Sequence, residues 1–221
     1  MKTYLIALFV FFLISSCNNS TSNKKENNVE PVVHVEKETA DGTALFDGNT
    51  LDGWEISDFG TQGPVKVSEG NIILNYGDGC TGITFAKDFP VVNYQVSLEA
   101  KRVSGNDFFC GITFPVDSTF CSFIAGGWGG PVVGLSTING ADASENETKT
   151  LINFEKNKWY KIQLTVTNEK IMVWIDGENV VDFEIGDHII DIRPEVSLSR
   201  PFGITTWNTT GALRNIRMKK L

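Results

Sequence analysis

The chain has 221 residues, and 19 Lys and Arg against 27 Asp and Glu give it a formal net charge of −8 at pH 7. This acidic balance argues against nucleic acid and anionic lipid as partners, because both repel a negatively charged protein. The two histidines, His34 and His188, are too few for a zinc site with several histidines. They also lie in segments that give no indication of a His-containing catalytic triad.

The first sixteen residues predict a lipoprotein signal peptide. Lys2 supplies a positive charge, and residues 4–14 form an apolar run that is too short to span a bilayer comfortably. Cys17 follows two serines, as at a bacterial lipoprotein cleavage site, and would become the acylated first residue; a signal peptide with a coincidental cysteine is the alternative. The prediction is a protein of the bacterial cell envelope, periplasmic or at the cell surface, that contacts the membrane only through its N-terminal lipid.

Residues 17–43 predict a flexible tether. They are rich in Asn, Ser, Lys and Glu and contain no large aromatic residue, so they bury too little apolar surface to offset the entropy of ordering. His34 lies in this segment and is interpreted as solvated. Residues 44–221 are enough for one substantial hydrophobic core, so a single domain is expected there.

The domain predicts an all-β fold, because no segment shows helical periodicity over a long stretch and short alternating runs are separated by turn signals. The tripeptide Gly-Ile-Thr recurs at Gly82, Gly111 and Gly203, which indicates three strands with similar pleat. The nine strands predicted outside residues 158–185 and the three described next make about a dozen, typical of a two-sheet antiparallel jelly-roll sandwich. The other strands are predicted at residues 72–76, 81–85, 94–102, 108–114, 120–124, 131–138, 150–154, 202–207 and 212–219.

The clearest alternation lies in residues 158–185, where three runs of period two follow one another. Asp176-Gly177 between the second and third runs is a strong hairpin signal, because Gly accepts a positive φ. This pattern predicts a three-stranded antiparallel meander whose apolar face needs a second layer. The residues expected on that face are Tyr160, Ile162, Leu164, Val166, Ile171, Val173, Ile175, Val181, Phe183 and Ile185.

An odd number of cysteines follows Cys17, which outside the cytoplasm means at least one free thiol or an intermolecular bond. A hairpin turn at residues 115–118 would place Cys110 opposite Phe123, with Cys121 as a diagonal neighbour. A disulfide there and three buried thiols packing as small apolar groups both remain open. The cysteines concerned are Cys80, Cys110 and Cys121.

The loop at residues 142–149 concentrates carboxylates that suit acid–base chemistry, as a base for C–H abstraction or as an acid and nucleophile pair. We predict Asp142, Glu145 and Glu147 as catalytic residues. Asp142, Ser144 and Asn146 also have the alternate spacing of a Ca²⁺ loop, although Gly is missing at the sharp turn. No cofactor is predicted, with Ca²⁺ as the alternative, and a solvated acidic loop is the non-functional alternative.

Two tryptophans suit sugar binding, because a pyranose face offers C–H groups to an aromatic ring. Trp128 lies between two Gly pairs, and Trp207 precedes Asn208 in a turn. Arg200 could clamp a hydroxyl or carboxylate through its planar guanidinium, or form a structural ion pair. We predict these four residues as the substrate-binding set. The other tryptophans are interpreted as core or sheet-face residues: Trp54, Trp159 and Trp174.

Two terminal segments of the domain, LFDGNTLDGW at residues 45–54 and GALRNIRMKKL at residues 211–221, resemble the opening and closing segments of the 3-keto-disaccharide hydrolase domain family. The resemblance covers residues 44–221. It implies a concanavalin A-like jelly roll, exported and often lipid-anchored, that acts on or near carbohydrate. Some members cleave glycosides oxidised at the third carbon of the sugar, where the ketone acidifies the neighbouring C–H and a base can expel the aglycone before water adds.

The middle of the chain differs from the family pattern at residues 123–131 and 140–148, and the turn at residues 207–211 lacks a histidine that many relatives carry. Two hypotheses therefore stand: a hydrolase or lyase that cleaves 3-keto-glycosides by carboxylate acid–base chemistry, and a non-catalytic carbohydrate-binding module. Both predict a glycoside or oligosaccharide as partner. A structural surface lipoprotein that contacts other proteins is a third hypothesis. The enzyme hypothesis expects residues 126–130 and the acidic loop to border one end of the sandwich.

Overall fold

The computed structural model describes residues 41–221. Cys17, the predicted signal peptide and nearly all of the predicted tether lie outside this range. Within it the chain forms fifteen β-strands, numbered β1 to β15 in chain order, and one 3₁₀ helix at Pro194–Ser199. No helix in this range is long and apolar enough to cross a membrane.

The first sheet has eight antiparallel strands. Across the sheet their order is β13-β12-β11-β6-β15-β4-β3, and β1 pairs with the end of β15. Their bounds are β1 (Thr43–Ala44), β3 (Val65–Ser68), β4 (Asn71–Leu74), β6 (Tyr94–Gly105), β11 (Trp159–Val166), β12 (Lys170–Ile175), β13 (Glu178–Glu184) and β15 (Thr209–Lys220).

The second sheet has seven antiparallel strands in the order β10-β9-β8-β7-β14-β5-β2. Their bounds are β2 (Trp54–Ile56), β5 (Cys80–Phe85), β7 (Cys110–Val116), β8 (Thr119–Gly127), β9 (Val132–Ser136), β10 (Thr150–Leu151) and β14 (Gly203–Trp207). The 3₁₀ helix packs against β5 and β14, where Thr84 Oγ1 donates to the carbonyl of Leu198 at 2.9 Å.

The two sheets enclose one hydrophobic core, which confirms the predicted all-β sandwich. Alternate residues of each strand face inward, as the period of two requires. Phe202 is fully buried and stacks on Phe89 with ring centroids 4.3 Å apart, and Trp54 lies 5.9 Å from Phe202. These rings join the opening segment of the domain to its last strands.

The predicted meander is confirmed as β11, β12 and β13, with a bulge between Val173 and Trp174. The two ends of the domain also meet. The N–H of Leu45 donates to the carbonyl of Ile216 at 2.9 Å, and Trp54 Nε1 donates to the carbonyl of Leu45 at 2.7 Å. The opening and closing segments therefore stabilise each other.

The three Gly-Ile-Thr tripeptides lie on the adjacent strands β7, β14 and β5, so their similar pleat is confirmed. Ile204 pairs with both Ile83 and Ile112, and all three side chains are fully buried in the core. Because side chains alternate, the Gly and Thr of each tripeptide lie on the outer face of the second sheet. The repeats therefore supply part of the surface on which a ligand could lie.

The predicted register of the β7–β8 hairpin is wrong. Val116 pairs with Thr119, so the turn consists of Asp117 and Ser118, and Cys110 lies opposite Ala125 instead of Phe123. All three cysteines of residues 41–221 are buried free thiols, which confirms the apolar-packing alternative. Burial raises the pKa of Cys80 and Cys121 to about 12 and that of Cys110 further, so the thiols stay protonated.

Candidate functional site

The outer face of the second sheet carries mostly small side chains along its middle strands, with Ile124 as the exception. Residues paired directly across an antiparallel sheet point to the same face. A β-carbon added to Gly203 would lie 2.6 Å from the carbonyl oxygen of Ser199, so glycine lets the 3₁₀ helix pack directly on the sheet. Two neighbouring rows of paired residues form this face, which we call the floor. The first row is Ser136, Ser122, Thr113, Gly203 and Thr84, and the second is Gly134, Ile124, Gly111, Thr205 and Gly82.

A cleft of about 210 Å³ opens on this floor. Its lining combines aromatic side chains, two carboxylates and one guanidinium, which is the mixture expected of a site that holds a polar ligand with apolar faces. The lining residues are Asp107, Phe108, Ser122, Ile124, Trp128, Ser136, Arg193, Glu195, Val196 and Trp207.

Trp128 is presented to the cleft by the tight turn between β8 and β9. Its backbone has a φ of +49°, and its side chain is 40% exposed. Gly126, with a φ of +83°, leaves no space for a side chain, since a β-carbon there would lie 2.4 Å from Arg102 Nη2. The glycines around Trp128 therefore allow both the turn and the approach of Arg102.

Arg102 supports this turn from inside the sandwich. It is a buried residue of β6, in the first sheet, and its Nη2 donates to the carbonyls of Gly126 at 3.2 Å and Gly130 at 3.0 Å. Its guanidinium lies 5.2 Å from the ring centroid of Phe109. Burial lowers the pKa of Arg102, but an arginine stays charged.

Asp107 supports the same turn from the cleft side. Its Oδ2 accepts from the N–H of Gly129 at 3.3 Å, and its Oδ1 accepts from the N–H of Phe108 at 2.8 Å. The ring of Phe108 lies 6.5 Å from that of Trp207. Asp107 therefore joins the Trp128 turn to the other aromatic side chains of the cleft.

Arg193 organises the charged part of the cleft. Its Nε and Nη2 donate to the two oxygens of Glu195 at 3.3 and 2.8 Å, and its Nη1 pairs with Asp142 Oδ2. Ser136 Oγ donates to the other oxygen of Asp142 at 3.2 Å. The hydrogen bond from Arg193 lowers the pKa of Glu195, and the bond to Glu195 raises the pKa of Arg193, so both are charged near neutral pH.

The predicted catalytic carboxylates are separated by the fold. Asp142 adjoins the cleft through Ser136 and Arg193, whereas Glu145 and Glu147 are exposed and outside the lining. Glu147 lies 3.5 Å from His188 Nε2 instead. The loop turns so that Asp142, its first carboxylate, contacts Ser136 on the floor. The catalytic roles of Glu145 and Glu147 stay a prediction.

The predicted binding residues are divided in the same way, because only Trp128 and Trp207 line the cleft. Arg200 borders a separate open pocket, where its Nε donates to the carbonyl of Ser197 at 2.9 Å and its guanidinium lies 5.7 Å from the ring of Phe120. Asn208, with a φ of +42°, accepts from the N–H of Gly79 at 2.7 Å and stabilises the turn after Trp207.

Asn146, a candidate calcium ligand, is engaged within its own loop. Its amide nitrogen donates to the carbonyls of Leu135 and Ala141, and its oxygen accepts from the N–H and hydroxyl of Thr148. Among residues 41–221 no group of three or more His, Cys, Asp or Glu is placed to hold a metal ion. The calcium alternative stays a prediction.

Several cleft residues were not foreseen from the sequence. Arg193 and Glu195 lie on either side of Pro194, in a stretch where apolar and polar residues do not alternate. The only local signal for an ion pair was that two opposite charges are separated by one proline. Arg102 carried a clearer signal, because it occupies an inward position of β6 after four apolar ones. A charged residue at an inward position usually has a specific partner.

Comparison with known proteins identifies a matching family. A family model described as the 3-keto-alpha-glucoside-1,2-lyase-like domain matches residues 41–219, whereas no curated protein matches the chain. A Parabacteroides distasonis protein reported as a candidate glycosyl hydrolase has a similar structure, with a TM-score of 0.51 and 16% identity over 86% of this chain and 98% of that chain.

Two further solved structures share the fold. The Crh5 transglycosylase has a TM-score of 0.53 and 12% identity over 80% of this chain and 81% of that chain. A sialidase has a TM-score of 0.55 and 11% identity over 81% of this chain and 18% of that chain. Identities this low show the fold alone, and the family match carries the assignment: the chain is a carbohydrate-active domain that belongs to the 3-keto-alpha-glucoside-1,2-lyase-like family.

Proposed function

We propose that the protein cleaves 3-keto-glycosides in the cleft on the second sheet, by elimination of the aglycone followed by addition of water. Membership of the family supports the substrate class. The observation that carries the proposal is the Arg193–Glu195 pair, which lies in one cleft with Trp128 and Trp207. The cleft thereby offers a carboxylate base, a cation and aromatic faces to one sugar.

In the proposed reaction the Glu195 carboxylate removes the proton from the carbon next to the ketone. The released electron pair forms the enolate, then re-forms the ketone as the bond between the anomeric carbon and the aglycone oxygen breaks. The aglycone oxygen takes the proton that Glu195 removed, which restores the carboxylate, and water adds to the double bond formed between the anomeric carbon and its neighbour. Arg193 would donate to the ketone oxygen, since its contacts with Asp142 and Glu195 use three of its five N–H groups and leave two for a ligand.

A non-catalytic carbohydrate-binding module is the second candidate, and one observation favours it. Arg193 engages Glu195 and Asp142 together, and its hydrogen bond lowers the pKa of Glu195. A carboxylate held in this way is a weaker base. The tryptophans would then bind a sugar without acting on it.

Turnover separates the two candidates. The mature protein is incubated with 3-keto-glucosides and with the same glucosides before oxidation, and release of the aglycone is followed. The proposal expects cleavage of the oxidised substrates only. Binding measured by calorimetry without any release would favour the module, and neither binding nor release would contradict both.

Trp128→Ala is expected to weaken sugar binding by about 1–3 kcal/mol, the scale of losing one large apolar contact. Calorimetry with the oxidised glucoside measures the change. Trp174→Ala is the matched control, because Trp174 lies on β12 in the other sheet. An unchanged affinity in the Trp128 variant would place the sugar elsewhere.

We also propose that the mature chain is anchored in the cell envelope by acyl groups on Cys17, which rests on the sequence pattern alone. Cys17→Ser is expected to abolish incorporation of labelled palmitate and to leave the precursor unprocessed. Ser16→Ala, which keeps the cysteine after a small residue, is the control. Palmitate incorporation into the Cys17 variant would contradict the anchor.

A further inference from the structure

Basic side chains collect on the outer face of the first sheet, although the chain as a whole is acidic. Strand pairing places them in four rows across β3, β4, β15, β6 and β11, and directly paired residues share a face. The rows are Lys66, Ile73, Ala212, Lys101 and Trp159; Arg214, Glu99 and Lys161; Arg217, Ser97 and Gln163; and Lys219, Gln95 and Thr165.

Six basic residues and one acidic residue, Glu99, belong to these rows, which we name the basic face. At its end Lys219 is paired with Asp41, so the face is most basic around Lys101, Lys161 and Arg214. The face ends toward β13, where Lys170 pairs with Asp182 and Glu184. The cleft lies on the other sheet, on the opposite side of the core. A ligand on the basic face and a sugar in the cleft would therefore not compete for the same residues.

Trp159 lies at the centre of the strongest part of the basic face. Lys101 Nζ is 4.6 Å from its ring centroid, and the Arg214 guanidinium is 4.1 Å from it. Cations over an aromatic ring are attracted by its quadrupole and are held in place. The tryptophan is half-buried, so its indole and the two cations present one mixed surface to solvent.

Glu99 orients Arg214 more than it neutralises the face. It accepts from Arg214 Nε at 2.9 Å and Nη2 at 2.6 Å, and from Asn215 Nδ2 at 2.7 Å. Although burial raises the pKa of Glu99, these hydrogen bonds hold it below its usual value, so the pair is fixed and ionic. With Lys101 and Lys161 the cluster keeps a net positive charge.

We propose that the basic face binds a polysaccharide that carries carboxylate groups. Positive charge suits the carboxylates, and Lys101 and Arg214 are held over the Trp159 ring, so both cations are fixed on the surface that a carboxylate would meet. A single polysaccharide strand senses charges within about 10 Å, so the basic face would outweigh the net charge of the chain. A broad anionic lipid surface would also meet Asp182 and Glu184 at the β13 edge.

Binding of the full chain to polygalacturonate, with dextran as a neutral comparison, tests this proposal. Lys101→Gln with Lys161→Gln is expected to lower the affinity for polygalacturonate about tenfold and to reduce its dependence on salt. Lys87→Gln with Lys149→Gln is the matched control, because it removes the same charge from segments outside the basic face, and its affinity should stay within about twofold.

An equal loss in both double variants would overturn the proposal, since overall charge would then explain binding. Equal affinity for dextran would also overturn it. Tighter binding to vesicles of phosphatidylglycerol and phosphatidylcholine, lost in the Lys101 and Lys161 variant, would replace the polysaccharide by a lipid surface. Cleavage of 3-keto-glucosides should be the same in both double variants, so failure here is distinguishable from failure of the cleft function.

Discussion

Glu195→Gln is expected to lower the turnover of a 3-keto-glycoside at least about a hundredfold, with little change in affinity, because the amide cannot accept the proton. Glutamine has nearly the shape of glutamate and can still contact Arg193, so the cleft should keep its form. Single-turnover kinetics and calorimetry on the oxidised glucoside measure the two quantities. A loss of binding without a loss of turnover would assign Glu195 to sugar recognition.

Glu145→Gln is the control for this experiment. It makes the same chemical change in an exposed residue outside the cleft lining, so turnover should stay within about twofold of the unchanged protein. A hundredfold loss in the Glu145 variant and none in the Glu195 variant would return catalysis to the acidic loop.

The pH dependence gives a second measure of the role of Glu195. Its pKa is lowered because Arg193 donates to it, so the reactive carboxylate form persists below the usual range of a glutamate. Activity should therefore be retained on acidification until pH falls through this lowered pKa, and then decline. Arg193→Gln removes the donor, so the acid limb of the profile should move to higher pH.

Phe202→Ala is expected to lower the free energy of unfolding by about 3–5 kcal/mol, because it removes a fully buried ring and leaves a cavity. Phe202 stacks on Phe89 and lies against Trp54, so the opening segment also loses a contact. Chemical denaturation followed by fluorescence measures the change. Leu198→Ala is the control, since that side chain is 54% exposed, and a loss as large as that of Phe202→Ala would contradict the assigned core.

The parts of the fold that could be predicted are those fixed by local pattern. The meander shows alternation over three consecutive runs, and a turn such as Asp176-Gly177 leaves little choice of register. The short strands β1, β2 and β3 were not predicted. They have two to four residues, too few for alternation to stand out from chance, and pairing with distant strands creates them.

Pro115 explains the wrong register of the β7–β8 hairpin. It was interpreted as part of the turn, but it lies within β7 and pairs with Phe120. Proline, which lacks an N–H, is tolerated in a strand at a position where no neighbouring strand offers a carbonyl to accept that hydrogen bond. The neighbouring strand β14 pairs with β7 only at residues 111–113, so Pro115 lies beyond that contact.

The site was predicted only in part, because composition identifies residue types but not their directions. Trp128 was found from the glycines around it, which do form a turn at the cleft. The acidic loop was found from its charge, yet its direction depends on Arg193, which is 51 residues away from Asp142. No local pattern encodes a contact of that range, so the charged part of the cleft could not be derived.

The contact between Arg102 and the Trp128 turn has a consequence for the dynamics of the cleft. Most surface turns fray independently of the core, because few buried contacts hold them. Here Arg102, from the first sheet, donates hydrogen bonds to the carbonyls of Gly126 and Gly130 and holds the turn in place. Releasing it breaks both hydrogen bonds of a buried guanidinium, so we expect the rim that presents Trp128 to open less readily than a turn held only by its own backbone.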